Sequence, residues 1–338
     1  MTMLHPAAKC RNIESLKTIL SIYPESERLH AVGILDLNGW TVLHSAAQSG
    51  HLESMQLILS LYPETERLRA VCTRVQNRQT VLHCAASSGN PESIRLILSL
   101  YPETERLRAV CTPDRDGGRT SLHNAACSGS RESLEAILSL FPDSEHSHAV
   151  RMKDNDGWTV LHHAANSGKV ECMKAVLSFI PESDRLHDAC IKDGTGRSVL
   201  HYAACSGNPD MIRLVLALYP ETERLHAVNM PDRYGGTVLH RGASSGNLES
   251  IETILALYPE SERLQALKMI THNETTVLHY VVLASNSDGI ECIKAVLSLY
   301  PESERLQAVN MGNLKGNTVL DYMNQEVRES ILDWLSNN

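Results

Sequence analysis

The pair Leu-His recurs at Leu4-His5, Leu43-His44, Leu82-His83, Leu122-His123, Leu161-His162, Leu200-His201, Leu239-His240 and Leu278-His279. Eight of the 16 histidines stand at this once-per-repeat position. Imidazole can ligate a metal or relay protons, so a regular series of histidines first raises those chemistries. The spacing argues against both. Ligands to one zinc ion must all stand about 2 Å from it, and a ladder with one rung per repeat cannot converge on one point. His162-His163 with nearby cysteine suggests a zinc site or a Cys–His pair. However, Cys84, Cys127 and Cys205 recur in several copies and at two different positions, which points to packing.

Two acidic turns, DRDGG at 114–118 and DNDG at 154–157, start like a calcium loop. Neither continues with the further acidic positions and the closing Glu at position 12 that such a loop needs. DGTGRS at 193–198 has too few glycines, in the wrong context, for a phosphate loop. All three are expected to be turn formers. No catalytic residue, metal ligand or cofactor site is expected.

These motifs are carried by one repeating unit. The prolines Pro24, Pro63, Pro102, Pro142, Pro181, Pro220, Pro259 and Pro301 are spaced by 39, 39, 40, 39, 39, 39 and 42 residues, in step with Leu-His. The two markers together make residues 1–338 a single array of about eight repeats, with an N-terminal cap repeat at 1–36 and a C-terminal cap at 313–338. Within a unit, Val42 to Ser49 is a short helix with small Ala46 and Ala47, stopped by Gly50. Met55, Ile58, Leu59 and Tyr62 form the apolar stripe of a second helix. Its start shows in GNPES at 89–93, where Asn90 is the N-cap and Pro91 the first helical residue. Pro63 disfavours helix at Tyr62 and suits the first turn of a new one. Glu64 and Glu66 favour its positive end, with Arg67 within reach of Glu64. LYPETERLRAV therefore predicts a third helix of about two turns. Asp, Asn and Gly dominate the segments between units and predict projecting β-turns.

DGWTVLHHAANSGKVECMKAVL at 156–177 resembles an ankyrin repeat, through Gly157, Thr159, Leu161, His162, Ala164, Ala165, Gly168, Val176 and Leu177. The resemblance recurs over nearly the whole chain. Two departures stand out. Val42 or Ser121 occupies the place of the family's Pro, and the period is about 39 rather than 33. A HEAT-like array shares that period but not the Thr-x-Leu-His-x-Ala-Ala signature. The implied fold is an all-α, ankyrin-type solenoid of helix-turn-helix repeats with β-turn fingers and an added third short helix per repeat. The resemblance also implies that each Leu-His histidine bonds locally to a turn backbone.

Composition narrows the function. At 42% hydrophobic and 21% charged, the chain reads as folded, and no apolar run approaches the roughly 20 residues of a membrane span. No signal peptide is evident, and nine cysteines without a CxxC suit a reducing compartment. The formal net charge is −9, which weighs against nucleic acid as a partner. Counted over five residues from each marker proline, seven phrases carry −1 and PDSEH carries −2, which accounts for that whole charge. The third helices are therefore expected to form an acidic ridge, and the turns a neutral to mildly basic face.

The expected function is a non-enzymatic scaffold for another protein, acting as a monomer in the cytoplasm, with neither cofactor nor membrane insertion. Alternatives are the targeting module of a larger enzyme and a host-directed bacterial effector, which would act in the host cytosol. By resemblance, partners meet the finger turns and first helices of a concave face. The candidate finger residues are Trp40, Arg78, Arg115, Arg119, Asn155, Trp158, Arg197, Arg233 and Tyr234. The candidates on the first helices are Gln48, His163, Asn166, Tyr202 and Arg241. For Trp40 and Trp158, packing on a neighbouring turn and anchoring a partner are both open.

Overall fold

In the computed structural model, which describes residues 3–75, 78–284 and 289–337, the second Leu-His repeat folds as three helices. Thr41 is in extended geometry and caps the first, Val42–Ser49, its side chain accepting the His44 N–H. Leu43, Ala46 and Ala47 are buried on that helix, and Gly50 ends it at φ 68°, a conformation that glycine adopts without strain. The second helix, Leu52–Ser60, buries Met55, Ile58 and Leu59. The third, Glu64–Cys72, follows at once. Small residues on the first helix let neighbours approach closely, and first helix packs on first helix from repeat to repeat. The helices divide into two compact bodies on the same plan, Met1–Glu182 and Ser183–Asn338.

The third helix forms much as expected, with two corrections. Pro63 is its N-cap, with φ −51° and ψ 144°, and Glu64 is the first helical residue. Arg67 does not pair with Glu64. Its Nε donates to the carbonyls of Leu59 and Tyr62, at 3.1 and 3.3 Å, where the second helix ends. Arg28, Arg106 and Arg224 do the same in their own repeats. The physical reason is the stronger demand: the last carbonyls of a helix have no partner within it and carry partial negative charge, whereas a surface Glu is already hydrated. With the guanidinium groups turned inward, Glu64, Glu66, Glu103 and Glu105 stay exposed.

The tyrosine of the phrase ties third helices together. Tyr258 Oη donates to Asn229 Oδ1 at 2.6 Å, and Tyr300 Oη to the Leu267 carbonyl at 3.2 Å, each 29 or more residues back. Where the phrase reads PDSEH, the third helix splits into a 3₁₀ turn, Asp143–Glu145, and a helix, His146–Arg151. His146 stands where the capping Arg stands in other copies. It packs edge-on against Phe179 at 4.8 Å. Among the described residues, no helix is long and apolar enough to cross a membrane.

Candidate functional site

Five fingers are organised by a carboxylate at the base, Asp36, Asp114, Asp154, Asp193 or Asp232, while Val75 and Thr271 hold that place in two others. Asp154 Oδ1 accepts the N–H groups of Asp156 and Trp158, at 3.0 and 2.8 Å. Asp193 Oδ1 accepts those of Thr195 and Arg197, and Asp232 Oδ1 those of Tyr234 and Gly236. The tight turn needs a residue with positive φ, supplied by Gly157 at 81° and Gly196 at 83°. Backbone bonds link neighbouring fingers, from Asn155 N–H to the Gly117 carbonyl at 2.7 Å in the first body, and in the second from Arg233 N–H to the Thr195 carbonyl and from His272 N–H to the Tyr234 carbonyl, both at 2.8 Å. These bonds fix the spacing of the fingers they join.

In three repeats the second oxygen of this carboxylate takes a first-helix partner, a different one each time. Asp154 Oδ2 accepts from His163 Nε2 at 2.9 Å, with Arg119 Nε at 3.5 Å. Asp193 Oδ2 accepts from the Tyr202 hydroxyl at 2.5 Å. Asp232 Oδ2 accepts from Arg197 Nε at 3.0 Å and from Arg241. In these three repeats the helix partner lies nine residues after the aspartate. For Asp154 and Asp232 a second partner comes from the preceding finger, 35 residues before, and for Asp193 it is the Thr195 hydroxyl of the same finger. Burial raises the Asp232 carboxyl's pKa, but its bonds to Arg241, Arg197 and the Gly236 N–H outweigh that and hold it at about 2. These carboxylates are thus charged, buried and saturated, which makes them parts of the frame.

The Leu-His histidines make the second set of ties. Thr80 N–H donates to His83 Nδ1 at 3.2 Å, so Nδ1 is an acceptor and the ring proton is on Nε2. Nε2 donates to the Thr112 carbonyl at 3.0 Å, 29 residues on, at the exit of the third helix. His123 reaches Met152 in the same way, His201 reaches Met230, and His240 reaches Met269. One neutral imidazole thus caps its own helix and holds the next finger's root. Burial pushes the His44, His201 and His240 pKa values down to about 4. Asp321 takes the capping half alone, accepting from the Thr318 N–H and hydroxyl at 2.8 Å. A carboxylate has no proton to pass onward.

A model of ankyrin repeats matches residues 66–148, 134–221 and 183–265, and a single-repeat model matches 38–62. The chain belongs to the ankyrin repeat family. No curated protein matches it. Ankyrin repeats generally mediate protein–protein interaction, and proteins built from them are generally non-enzymatic.

On this ankyrin frame the candidate residues fall into three groups. Arg78, Arg115, Asn155, Arg233 and Tyr234 are exposed on the fingers, and Asn166 is exposed at the end of its first helix. Gln48, Trp40 and Trp158 are half-buried, as are Arg119, Arg197 and Arg241, whose outer edges remain open. His163 and Tyr202 are the exceptions. They are only 1% and 4% exposed, because the buried Asp154 and Asp193 draw them inward, so they can shape the face only by fixing the fingers.

The Trp158 ring rests on His163 of its own repeat, with centroids 4.9 Å apart. Trp40 carries Lys9 Nζ over its ring at 5.1 Å. Packing explains the buried Cys84, but Cys127 and Cys205 are exposed on the first-helix face, contrary to that expectation. In the first body a cleft of about 360 Å³ opens between fingers and first helices, lined by Gln79, Asp114, Asp116, Arg119, Asn124 and Cys127, among others. The sequence reading makes the finger aspartates turn formers and no more. The signal that reveals their second role is the nine-residue offset from Asp154, Asp193 and Asp232 to His163, Tyr202 and Arg241.

Proposed function

We propose that this chain is a non-enzymatic scaffold that binds a partner protein through the face made by its fingers and first helices. One position carries the reading. The residue four after the Leu-His histidine is, from the second repeat on, Gln48, Ser87, Cys127, Asn166, Cys205, Ser244 and Leu283, all wholly or partly open to solvent. The two residues before it are buried throughout and small in every repeat but the last, where Val281 and Val282 stand. A repeat must bury one face against its neighbour, so that face is constrained, while the open face varies without cost to stacking. Exposed Arg233 and Tyr234 on a finger are of the types that dominate interface energetics.

The test is capture of a partner by the full chain, repeated with Trp40→Ala, Arg119→Ala and Trp158→Ala. Reduced recovery with the variants supports the finger and first-helix face. Equal recovery moves binding elsewhere on the molecule. Turnover of any substrate by the purified chain would remove the non-enzymatic reading.

A further inference from the structure

In the first body one finger carboxylate, Asp114, is only 7% exposed and makes no ion pair with the described residues. Its Oδ1 accepts the N–H groups of Gly117 and Arg119, at 3.1 and 3.0 Å. Its Oδ2 has one hydrogen-bond partner among the described residues, Gln79 Nε2 at 3.3 Å. In three sister repeats that oxygen takes an imidazole, a phenol or a guanidinium from the first helix. The Asp114 finger is one residue longer, so the matching helix residue is Asn124, ten positions on. Asn124 turns instead to the preceding repeat, its Nδ2 donating to the His83 carbonyl at 3.3 Å. The preceding finger offers Gln79 where Asp154 and Asp232 meet Arg119 and Arg197. Beside Asp114 opens the cleft of about 360 Å³, which its side chain helps to line.

The donors around that cleft have partners of their own. Besides Gln79 and Asn124, the Ser87 hydroxyl donates to the His83 carbonyl at 3.0 Å. Arg119 Nε stands 3.5 Å from the buried Asp154 Oδ2. The cleft is therefore left with acceptors: Asp114 Oδ2, the exposed Asp116 carboxylate and the side-chain oxygens of Ser87 and Asn124. Arg78 and Arg115 are exposed on fingertips outside the lining, where water and salt screen their charge.

We propose that this cleft takes an arginine side chain of the partner protein. The guanidinium donates to Asp114 Oδ2 and the acceptors around it. It does from outside what His163, Tyr202 and Arg241 do from within the other repeats. The inference rests on the finger and first-helix face being the binding face. Hydrogen-bond inventory selects the group, since a guanidinium brings five N–H donors, no acceptor and a positive charge to a buried carboxylate. A phenol brings one donor, and an ammonium is a strongly hydrated point charge without the planar fork.

The probe is a random dodecapeptide library displayed on phage and selected on the immobilised full chain. Enriched peptides should share an arginine. A synthetic peptide of the enriched sequence should lose at least about tenfold in affinity when that arginine becomes lysine, or citrulline, its uncharged isostere. Asn124→Arg puts a guanidinium on the helix where Arg241 stands in its own repeat. It should fill the cleft, raise the thermal midpoint and weaken the peptide at least about tenfold. Asp114→Asn should weaken it as well, and the thermal midpoint checks that this variant is folded. No enrichment, enrichment without a shared arginine, or affinity unchanged in both variants overturns the proposal. Equal affinity of the citrulline peptide overturns the guanidinium assignment. Selection that depends on Trp40 and Trp158 but on neither Asp114 nor Asn124 removes this inference and leaves the groove reading in place.

Discussion

Asp154 and His163, nine residues apart, meet with Oδ2 and Nε2 2.9 Å apart, and both side chains are almost wholly excluded from solvent. The bond joins a finger to the helix behind it. Burial lowers the His163 pKa against the pull of Asp154, so the ring is a neutral donor at pH 7. Removing either group leaves the other buried without its partner, which costs about 1–3 kcal/mol. Asp154→Asn, His163→Ala and the double variant, unfolded in urea, should therefore show a coupling energy above about 0.5 kcal/mol. Additive losses would mean that the finger is held by its backbone bonds alone.

Acid should unfold this protein through its histidines. His44, His123, His201 and His240 have native pKa values near 4, from burial first, against an ordinary value of 6.5. The unfolded chain therefore binds more protons between those values. Stability is complete above pH 6.5 and falls as pH drops toward 4, by up to about 1.4 kcal/mol per pH unit for each histidine. The measurement is the urea midpoint from pH 7.5 to 4.5. His201→Gln and His240→Gln should flatten that slope while lowering stability at pH 7.5. An unchanged slope would assign the acid sensitivity to other groups.

The third helix was legible in the sequence because its cause is local: Pro63 stops one helix and Glu64 and Glu66 favour the start of another. The role of Arg67 was not legible. It reaches Leu59, eight residues back, and that reach depends on the angle between two helices, which only packing sets. A Glu three residues away was the nearer partner in sequence, and the weaker one. The candidate face was legible as variable positions, but burial was not. His163, Tyr202 and Arg241 occupy one position and look equally available. Only the position of the finger carboxylate shows that two of them point inward and the third keeps an open edge.

The capping arginines give a sharp substitution test. Arg106 Nε bonds two carbonyls, Leu98 at 3.1 Å and Tyr101 at 3.4 Å. Arg106→Ala should cost about 1.5–3 kcal/mol, the range for hydrogen bonds to a charged group. Arg106→Lys should recover little of it, because an ammonium on a flexible stem lacks the guanidinium's rigid fork. Full recovery with Lys would show that charge near the helix end matters and the shared bond does not. The converse change is His146→Arg, which restores the cap in the one split third helix. It should raise the thermal midpoint.

Two fingers place a side chain where the others place glycine. Arg78 has φ 60° and Glu274 has φ 57°, against 81° for Gly157 at the same turn position. A left-handed conformation costs a residue with a Cβ about 1–2 kcal/mol, and glycine gives back part of that gain through its freer unfolded chain. Glu274 is exposed, so its side chain contributes little packing that would be lost. Glu274→Gly should therefore stabilise the protein by about 0.5–1 kcal/mol and leave the Thr271–Glu274 backbone bond intact. Glu274→Ala keeps the Cβ and removes only the carboxylate, so it separates backbone strain from charge. A gain with Gly and none with Ala locates the strain in the backbone. Equal gains would place the cost in the carboxylate.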